Sequence, residues 1–195
     1  MKMPIGISIA AADGVTRLNE TLVLAFETDP LTRWVFQEQD MYHRLVPGFF
    51  QAFGGRALEH GAAYYSEGYS GAALWLPPGI DPDVDVMMSI VQEAATEQHQ
   101  ASVLALMEEI GKYHPHEPHW YLPLLGVTPA FQGTGHGAAL MKHALRRIDA
   151  DHAAAYLESS SPRNVPLYAR HGFEVLGTLQ TGSSPPIFPM LRPAR

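Results

Sequence analysis

The stretch LLGVTPAFQGTGHGAALMKHAL, residues 124–145, decides the fold of this chain. It runs from an apolar segment through Gly133, Gly135 and Gly137 into residues with apolar side chains at helical spacing. We therefore predict a strand, a glycine-rich loop and a helix, in that order. Backbone N–H groups at a helix N-terminus attract anions, and glycine lets the backbone approach a ligand closely. The loop is a candidate cradle for a phosphate group.

Two other interpretations of the loop stay open from the residues alone. The first is a glycine-rich turn that binds no ligand. The second is a dinucleotide fingerprint, because Gly133, Gly135 and Ala138 satisfy G-x-G-x-x-A and the acidic Glu158 follows about 20 residues later. Too little chain follows Glu158 to complete repeated βαβ units, which makes a NAD(P)-binding domain the less favoured interpretation. The G-x-x-x-x-G-K-[ST] pattern of nucleoside triphosphate sites is absent.

Composition limits the class of protein. The chain has 195 residues, of which 46% are hydrophobic and 17% charged, and this predicts one folded globular domain. It contains no cysteine, which excludes disulfides, thiolate metal sites and a cysteine nucleophile and fits a cytoplasmic location. The net charge of -7 disfavours nucleic acid and anionic membranes as partners and suits a cationic small molecule. No apolar run reaches the ~18 residues of a transmembrane helix.

Strand and helix patterns alternate along the chain, with hairpin signals near both ends. Strands are predicted at 5–10, 62–67, 71–78, 119–127, 153–160, 173–179 and 186–191. Helices are predicted at 13–29, 40–59, 135–149 and 162–171, and one or two helices at 81–111. This order predicts an α/β or α+β domain with a mixed sheet. Pro123 is an irregularity in the strand at 119–127, since proline normally confines a strand to a sheet edge.

Two motifs at a fixed separation carry a resemblance to a known family. Gln132, Gly135 and Gly137 spell Q-x-x-G-x-G after the segment LGVTPAF. The later segment YLESSSPRNVPLYARHGFEV, residues 156–175, supplies Asn164, Tyr168, Gly172 and Phe173 as the second half of the same signature. Together they resemble the GNAT N-acetyltransferase superfamily. The segments AFETDPLTRW and GAALWLPPG also resemble the puromycin-acetylating branch of that superfamily.

The resemblance implies a fold and a division of the chain. We expect a single GNAT-like α/β (α+β) domain over residues 1–195, with a central mixed, mostly antiparallel sheet flanked by helices. Its strands should splay apart at the cofactor cleft, where an interrupted strand such as the one with Pro123 is tolerable. Residues 1–118 would form the acceptor-side half and residues 119–195 the half that binds acetyl-coenzyme A (acetyl-CoA).

The resemblance also implies a set of cofactor-binding residues around the glycine loop. The expected set is Leu125, Gly126, Val127, Gln132, Gly133, Thr134, Gly135, His136, Gly137, Ala138, Asn164 and Arg170. The backbone N–H of Val127 or a neighbour would stabilise the developing oxyanion. The variable positions of the loop hold no Lys or Arg. Phosphate binding would therefore depend on backbone donors, the Thr134 hydroxyl and Arg170.

Tyr168 and Glu158 are the expected catalytic residues. The resemblance implies that Tyr168 protonates the leaving thiolate; otherwise it is an ordinary core aromatic. Glu158 ends an apolar strand, where partial burial would raise its pKa toward that of a general base. A solvated charge at the strand end, with a water chain as base, is the alternative. His119 and His136 are weaker candidates.

Trp34, Phe36 and Trp75 are candidates for an acceptor pocket, with three core aromatics as the alternative. A metal site formed by His114, His116 and His119 is not expected, because prolines interrupt the segment.

The resulting functional hypothesis is an acetyl-CoA-dependent N-acetyltransferase that acts on the primary amine of a small molecule by direct attack on the thioester. A non-catalytic acyl-CoA-binding module and a dinucleotide-binding domain are the alternatives. The amine could be an antibiotic, a polyamine, an amino acid or a protein N-terminus. We expect no nucleic-acid or membrane partner, and a monomer or a homodimer.

Overall fold

A seven-stranded sheet forms the centre of the computed structural model, which describes residues 4–195. The first three residues of the predicted domain lie outside that range. The strands are β1 Ile7–Ile9, β2 Ala63–Ser66, β3 Gly71–Leu76, β4 His119–Val127, β5 Ala154–Ser159, β6 Glu174–Val175 and β7 Phe188–Arg192. Their order across the sheet is β1-β2-β3-β4-β5-β7-β6. Every neighbouring pair is antiparallel except β4 with β5, which is parallel. The predicted mixed, mostly antiparallel sheet is therefore confirmed.

Helices lie on both faces of this sheet. They are α1 Val15–Phe26, α2 Pro30–Val35, α3 Gln39–Gly54, α4 Val84–Ala94, α5 Glu97–Gly111, α6 His136–Ala150 and α7 Val165–Ala169. On β4, Gly126 faces α1, whereas the side chains of Leu125 and Val127 lie against Gly137 of α6. The alternation of side chains along a strand thus places α1 and α6 on opposite faces. Within residues 4–195, no helix is both long and apolar enough to cross a membrane.

Helix α2, Pro30–Val35, was not predicted, and most boundaries shift by a few residues. Two of the differences have clear local reasons. The first helix was expected to begin after an Asp13 cap, but residues 12–14 form a 3-10 turn and Gly14 occupies the cap position. The strand expected at 173–179 is ordered as a strand only over Glu174–Val175. The next partner on β7 is Pro189, which has no N–H to continue the ladder.

The parallel pair β4–β5 separates after three residue pairs. Pairing joins residues 119–121 to residues 154–156 and then stops, so the carboxyl-terminal halves of the two strands splay apart. On the other side of β4, Tyr121 pairs with Leu76 and Leu124 pairs with Leu74. Leu122 and Pro123 therefore oppose a single residue of β3, which is a β-bulge. Pro123 lies where no ladder requires its N–H, and the expected splaying is confirmed.

Substitution of Gly126 by alanine tests how closely α1 packs on β4. A Cβ at this position would lie 2.6 Å from the Cβ of Ala25 and 3.1 Å from a ring carbon of Phe26. We expect Gly126→Ala to lower the free energy of unfolding by about 1–3 kcal/mol, since the helix must move to relieve the overlap. Urea unfolding measures this change. The matched control is Gly111→Ala in α5, where an added Cβ meets no atom within 4 Å. Equal stability of the two variants would contradict the packing described here.

Candidate active site

Two adjoining cavities open where β4 and β5 separate. One is mostly apolar, with a volume of about 430 Å³, and extends under α2 to α5. The other, of about 490 Å³, follows the glycine loop between β4 and α6. Phe26, Asp29, Leu125 and Asn164 line both. A ligand that follows the glycine loop can therefore reach into the apolar cavity at Asn164.

The glycine-loop cleft brings together most of the predicted cofactor-binding residues. Its lining includes Leu125, Gly126, Val127, Gln132, Gly133, Gly135, Gly137, Ala138, Asn164 and Arg170. Gly133 has φ +72° and Gly135 has φ +107°, conformations in which a residue with a Cβ is strained. α6 begins directly after Gly135, and the N–H groups of its first turn have no acceptor within the helix. The loop thus presents backbone donors to the cleft.

Thr134 and His136, also predicted to bind the cofactor, are not among the lining residues of this cleft. The Thr134 hydroxyl donates to the carbonyl oxygen of Phe131 at 2.5 Å. The Nδ1 atom of His136 lies 2.8 Å from the Ser66 hydroxyl. Gln132 donates through Nε2 to the carbonyl oxygen of Val127 at 3.1 Å. All three side chains hold the loop in shape.

Arg163 is a cation of this cleft that the sequence reasoning missed. It lines the cleft with Arg170, and both side chains are exposed. The cations that the loop itself lacks are thus supplied from the segment around α7. Arg163 directly precedes Asn164, so its place in the motif was the available signal.

Tyr168 lines the apolar cavity. It lies on α7 with 6% of its surface exposed, and its ring contacts Phe173 edge to face at 6.2 Å between centroids. Burial, and secondarily the negative charge of Asp29, raises the pKa of the phenol above its ordinary value. The hydroxyl therefore keeps its proton at neutral pH and can act as a proton donor.

Glu158 on β5 lines the same cavity, and its side chain is only 10% exposed. Its Oε2 atom accepts a hydrogen bond from the Tyr121 hydroxyl at 2.8 Å. Its Oε1 atom is buried, lies 3.6 Å from Nδ1 of His114, and has no hydrogen-bond partner among residues 4–195. Burial, and then the negative charge of Glu158, raises the pKa of Tyr121 well above its usual value, so that this phenol remains a donor.

A pair of histidines lies behind Glu158. The Nε2 atoms of His114 and His119 are 3.1 Å apart, and Nδ1 of His119 lies 2.7 Å from the carbonyl oxygen of Glu117. Burial lowers the pKa of His119 below its ordinary value of 6.5. In the part of the chain that is described, no three His, Asp or Glu side chains are arranged to hold a metal ion.

Of the three aromatic residues predicted for the acceptor side, only Phe36 lines the apolar cavity. Trp75 on β3 is fully buried in the main core. Trp34 is half-buried, and its indole N–H donates to the Ser183 hydroxyl at 3.2 Å. Trp34 and Trp75 therefore lie outside the cavity. This agrees with the alternative interpretation, in which both aromatic side chains pack in the core.

Helices α4 and α5 supply residues of the cavity wall that the sequence analysis did not identify. Met87, Met88, Val91 and Met107 line it. An apolar stripe at helical spacing identifies a buried helix face, but it does not reveal whether that face borders other side chains or an open cavity.

Known acetyltransferases resemble this chain, both in a family model and in a solved structure. Residues 87–191 match the family model described as an acetyltransferase (GNAT) domain. A solved structure described as a histone acetyltransferase HPA2 and related acetyltransferase from Corynebacterium glutamicum is 26% identical, with 99% of this chain and 98% of that chain covered and a TM-score of 0.71. The closer resemblance to the puromycin-acetylating branch stays a prediction.

More distant solved structures share the fold. An agmatine N-acetyltransferase variant is 16% identical, with 97% of this chain and 99% of that chain covered and a TM-score of 0.68. Arylalkylamine N-acetyltransferase 2 from Aedes aegypti is 12% identical, with coverages of 96% and 97% and a TM-score of 0.66. At these identities the likeness concerns the fold alone.

The lowered pKa of His119 predicts a specific dependence of stability on pH. Between the folded pKa and the ordinary value of 6.5, the unfolded chain binds more protons than the folded chain. The contribution of His119 to stability is therefore complete above pH 6.5 and is lost as pH falls toward the folded pKa. Urea unfolding between about pH 7.5 and 5.5 should show a smaller acid-induced loss of stability in His119→Gln than in the wild type.

The matched control for this prediction is His116→Gln, an exposed position in the same connecting segment. An NMR titration of the imidazoles provides a direct measurement. A midpoint for His119 at or above 6.5 would contradict the burial described.

Proposed function

Since this chain belongs to the GNAT acetyltransferase family, and is accordingly an N-acetyltransferase, we propose that it transfers the acetyl group of acetyl-CoA to the primary amine of a small molecule. One observation carries the proposal. Glu158 and Tyr168, a candidate base and a candidate acid, line one apolar cavity, and that cavity joins the glycine-loop cleft at Asn164. Relatives of the same fold are named for small amines, agmatine and arylalkylamines among them.

The residues of the glycine-loop cleft suit an acyl-CoA. The N–H groups of the first turn of α6, together with the Arg163 and Arg170 side chains, suit the pyrophosphate of the coenzyme. Gly133 and Gly135 keep the loop free of side chains that would stand between those donors and the phosphates. Asn164 at the junction offers an amide to the peptide-like arm of the coenzyme. Bound acetyl-CoA would supply the activated acetyl group.

Glu158 accepts the proton of the incoming amine in this proposal. The Tyr121 hydroxyl donates to Oε2 and fixes the carboxylate, while Oε1 is covered and faces Nδ1 of His114, so the amine would meet the carboxylate where Glu158 lines the cavity. An apolar cavity strengthens the interaction between a buried carboxylate and the proton it accepts. Solvent can reach the carboxylate through His114, whose side chain is 33% exposed. The proton can therefore leave without crossing the apolar cavity.

Tyr168 donates its proton to the sulfur atom that departs. Its hydroxyl is protonated at neutral pH because the side chain is buried. In addition, Tyr168 and Glu158 line one cavity, so the amine and the leaving sulfur would lie between a base and an acid. This arrangement serves direct attack of the amine on the thioester, in which no side chain carries the acetyl group.

The alternatives account for fewer of these features. A module that only binds acyl-CoA needs no buried base and acid in one cavity. A doubly wound dinucleotide-binding domain needs a parallel sheet, and this sheet has only one parallel pair, β4 with β5, among the described strands.

Ligand binding tests the identity of the donor. In a thermal melting assay, acetyl-CoA and coenzyme A at a hundredfold excess over Kd should add about 2.7 kcal/mol and raise the Tm by several degrees. NAD(P)H and ATP, measured in parallel, should leave the Tm unchanged. A shift with NAD(P)H alone would favour the dinucleotide interpretation, and binding of acetyl-CoA without acetylation of any amine would favour a binding module.

Tyr168→Phe tests the acid. Removal of the hydroxyl should lower kcat about a hundredfold or more, because general acid catalysis contributes on that order. The Tm shift with acetyl-CoA should persist, since the ring is retained. Tyr65→Phe is the matched control: the same atom is removed from a tyrosine that stacks on Tyr69, outside both cavities. A Tyr168→Phe variant with the wild-type kcat would exclude Tyr168 from the mechanism.

A further inference from the structure

We propose that the acceptor is a monoamine with an apolar body and no carboxylate, bound with its amine at Glu158 and its body against helices α3, α4 and α5. The inference rests on the proposed function, because it names the class of amine that the same cavity receives. It depends on where the charged side chains lie around the cavity. It also depends on the apolar character of the wall formed by α3, α4 and α5.

Glu158 defines the end of the cavity that receives the amine. Its side chain is nine-tenths buried, so the carboxylate is largely removed from water and needs donors from the protein or from a ligand. The Tyr121 hydroxyl donates to Oε2, whereas Oε1 is covered and faces Nδ1 of His114 at 3.6 Å. The N–H of an amine in the cavity would be a further donor to this carboxylate, since Glu158 lines the cavity.

The wall contributed by α3, α4 and α5 is apolar. Its side chains include Phe49, Phe53, Met87, Met88, Val103 and Leu106. The volume of about 430 Å³ falls within the range of sites for small molecules. Methionine side chains adapt to ligands of different outline. This wall suits an alkyl or aryl group, and it offers no carboxylate, amide or cation to a polar one.

The cavity has no Lys or Arg to act as a counter-ion for a carboxylate. Its acidic lining residues are Asp29, Asp81 and Glu158, no Lys or Arg of residues 4–195 lines it, and its one histidine, His114, already faces Oε1 of Glu158 at 3.6 Å. Amino acids, which carry a carboxylate beside the amine, would bury that group next to acidic side chains without a cation. Burial of an unpaired charge is strongly unfavourable. The cavity therefore disfavours amino acids as acceptors.

The cavity also lacks a second carboxylate at the far end, which a diamine would require. Asp81 is an exposed residue that precedes α4, so it does not lie among the apolar side chains of α4 and α5. Asp29 already accepts hydrogen bonds from Thr32 and from the Ser160 hydroxyl, and it lies at the junction with the glycine-loop cleft. The second ammonium of a polyamine would then lie among the apolar side chains of α4 and α5.

Matched pairs of acceptors test the inference on the wild-type protein. Phenylethylamine and L-phenylalanine differ by one carboxylate, and hexylamine and hexamethylenediamine differ by one amine. With acetyl-CoA as donor and thiol release as the readout, kcat/KM should be roughly tenfold or more higher for the first member of each pair. Equal or higher kcat/KM for the amino acid or the diamine would overturn the inference while the proposed acetyl transfer stands. No acetylation of any of the four would contradict the proposed function and, with it, this inference.

A substitution in the apolar wall provides an independent test. Met88 is half-buried and lies outside the groups placed at the reacting atoms. Met88→Glu should raise the ratio of kcat/KM for hexamethylenediamine to that for hexylamine by roughly tenfold, because it adds a carboxylate at the far end. Met88→Leu, the matched apolar control, should leave this ratio unchanged. The ratio is insensitive to a uniform loss of active protein, so an unchanged ratio in Met88→Glu would overturn the placement of the amine body.

Discussion

The separation of β4 from β5 after three residue pairs is the constraint on which both cavities depend. A continuous parallel pair would fill the centre of the sheet with its own hydrogen bonds and leave no opening. The bulge at Leu122 and Pro123 turns β4 away on one side, while β5 continues to pair with β7 from Ala155 to Ser159. The opening thus lies between a bulged strand and a regularly paired one.

The two cavities differ in polarity in a way that suits two halves of one reaction. The glycine-loop cleft is lined by backbone N–H groups and exposed arginines, and it remains open to water. The inner cavity is lined by aromatic and methionine side chains, with a few polar groups at its ends. A highly charged coenzyme can therefore remain hydrated at one end while its reactive end lies in a dry environment. Interactions between charges and protons are strongest in such an environment.

Sequence patterns predicted the fold better than the borders of the site. The glycine loop, the hairpin at 62–78 and the strand at 119–127 are local patterns, and each was predicted close to its observed range. Tyr168 was placed by a motif, and it lies in the same cavity as Glu158. Sequence patterns could not show that Trp75 fills the core whereas the methionines of α4 line the cavity. Burial has the same sequence pattern whether a side chain fills a core or lines a cavity, and only the packing of distant helices distinguishes them.

The apolar wall and the glycine-loop cleft are drawn from different lengths of the chain. The wall beyond Glu158 comes from residues 31–111, whereas the cleft is formed mainly by residues 125–138 and 161–170. On the proposed function, acceptor preference would therefore depend on a part of the chain that contributes little to donor binding. After gene duplication, drift confined to that segment can redirect the enzyme to a different amine while the donor machinery is inherited intact. The same separation makes the cavity-facing side chains of α3, α4 and α5 natural positions to exchange between relatives in the laboratory.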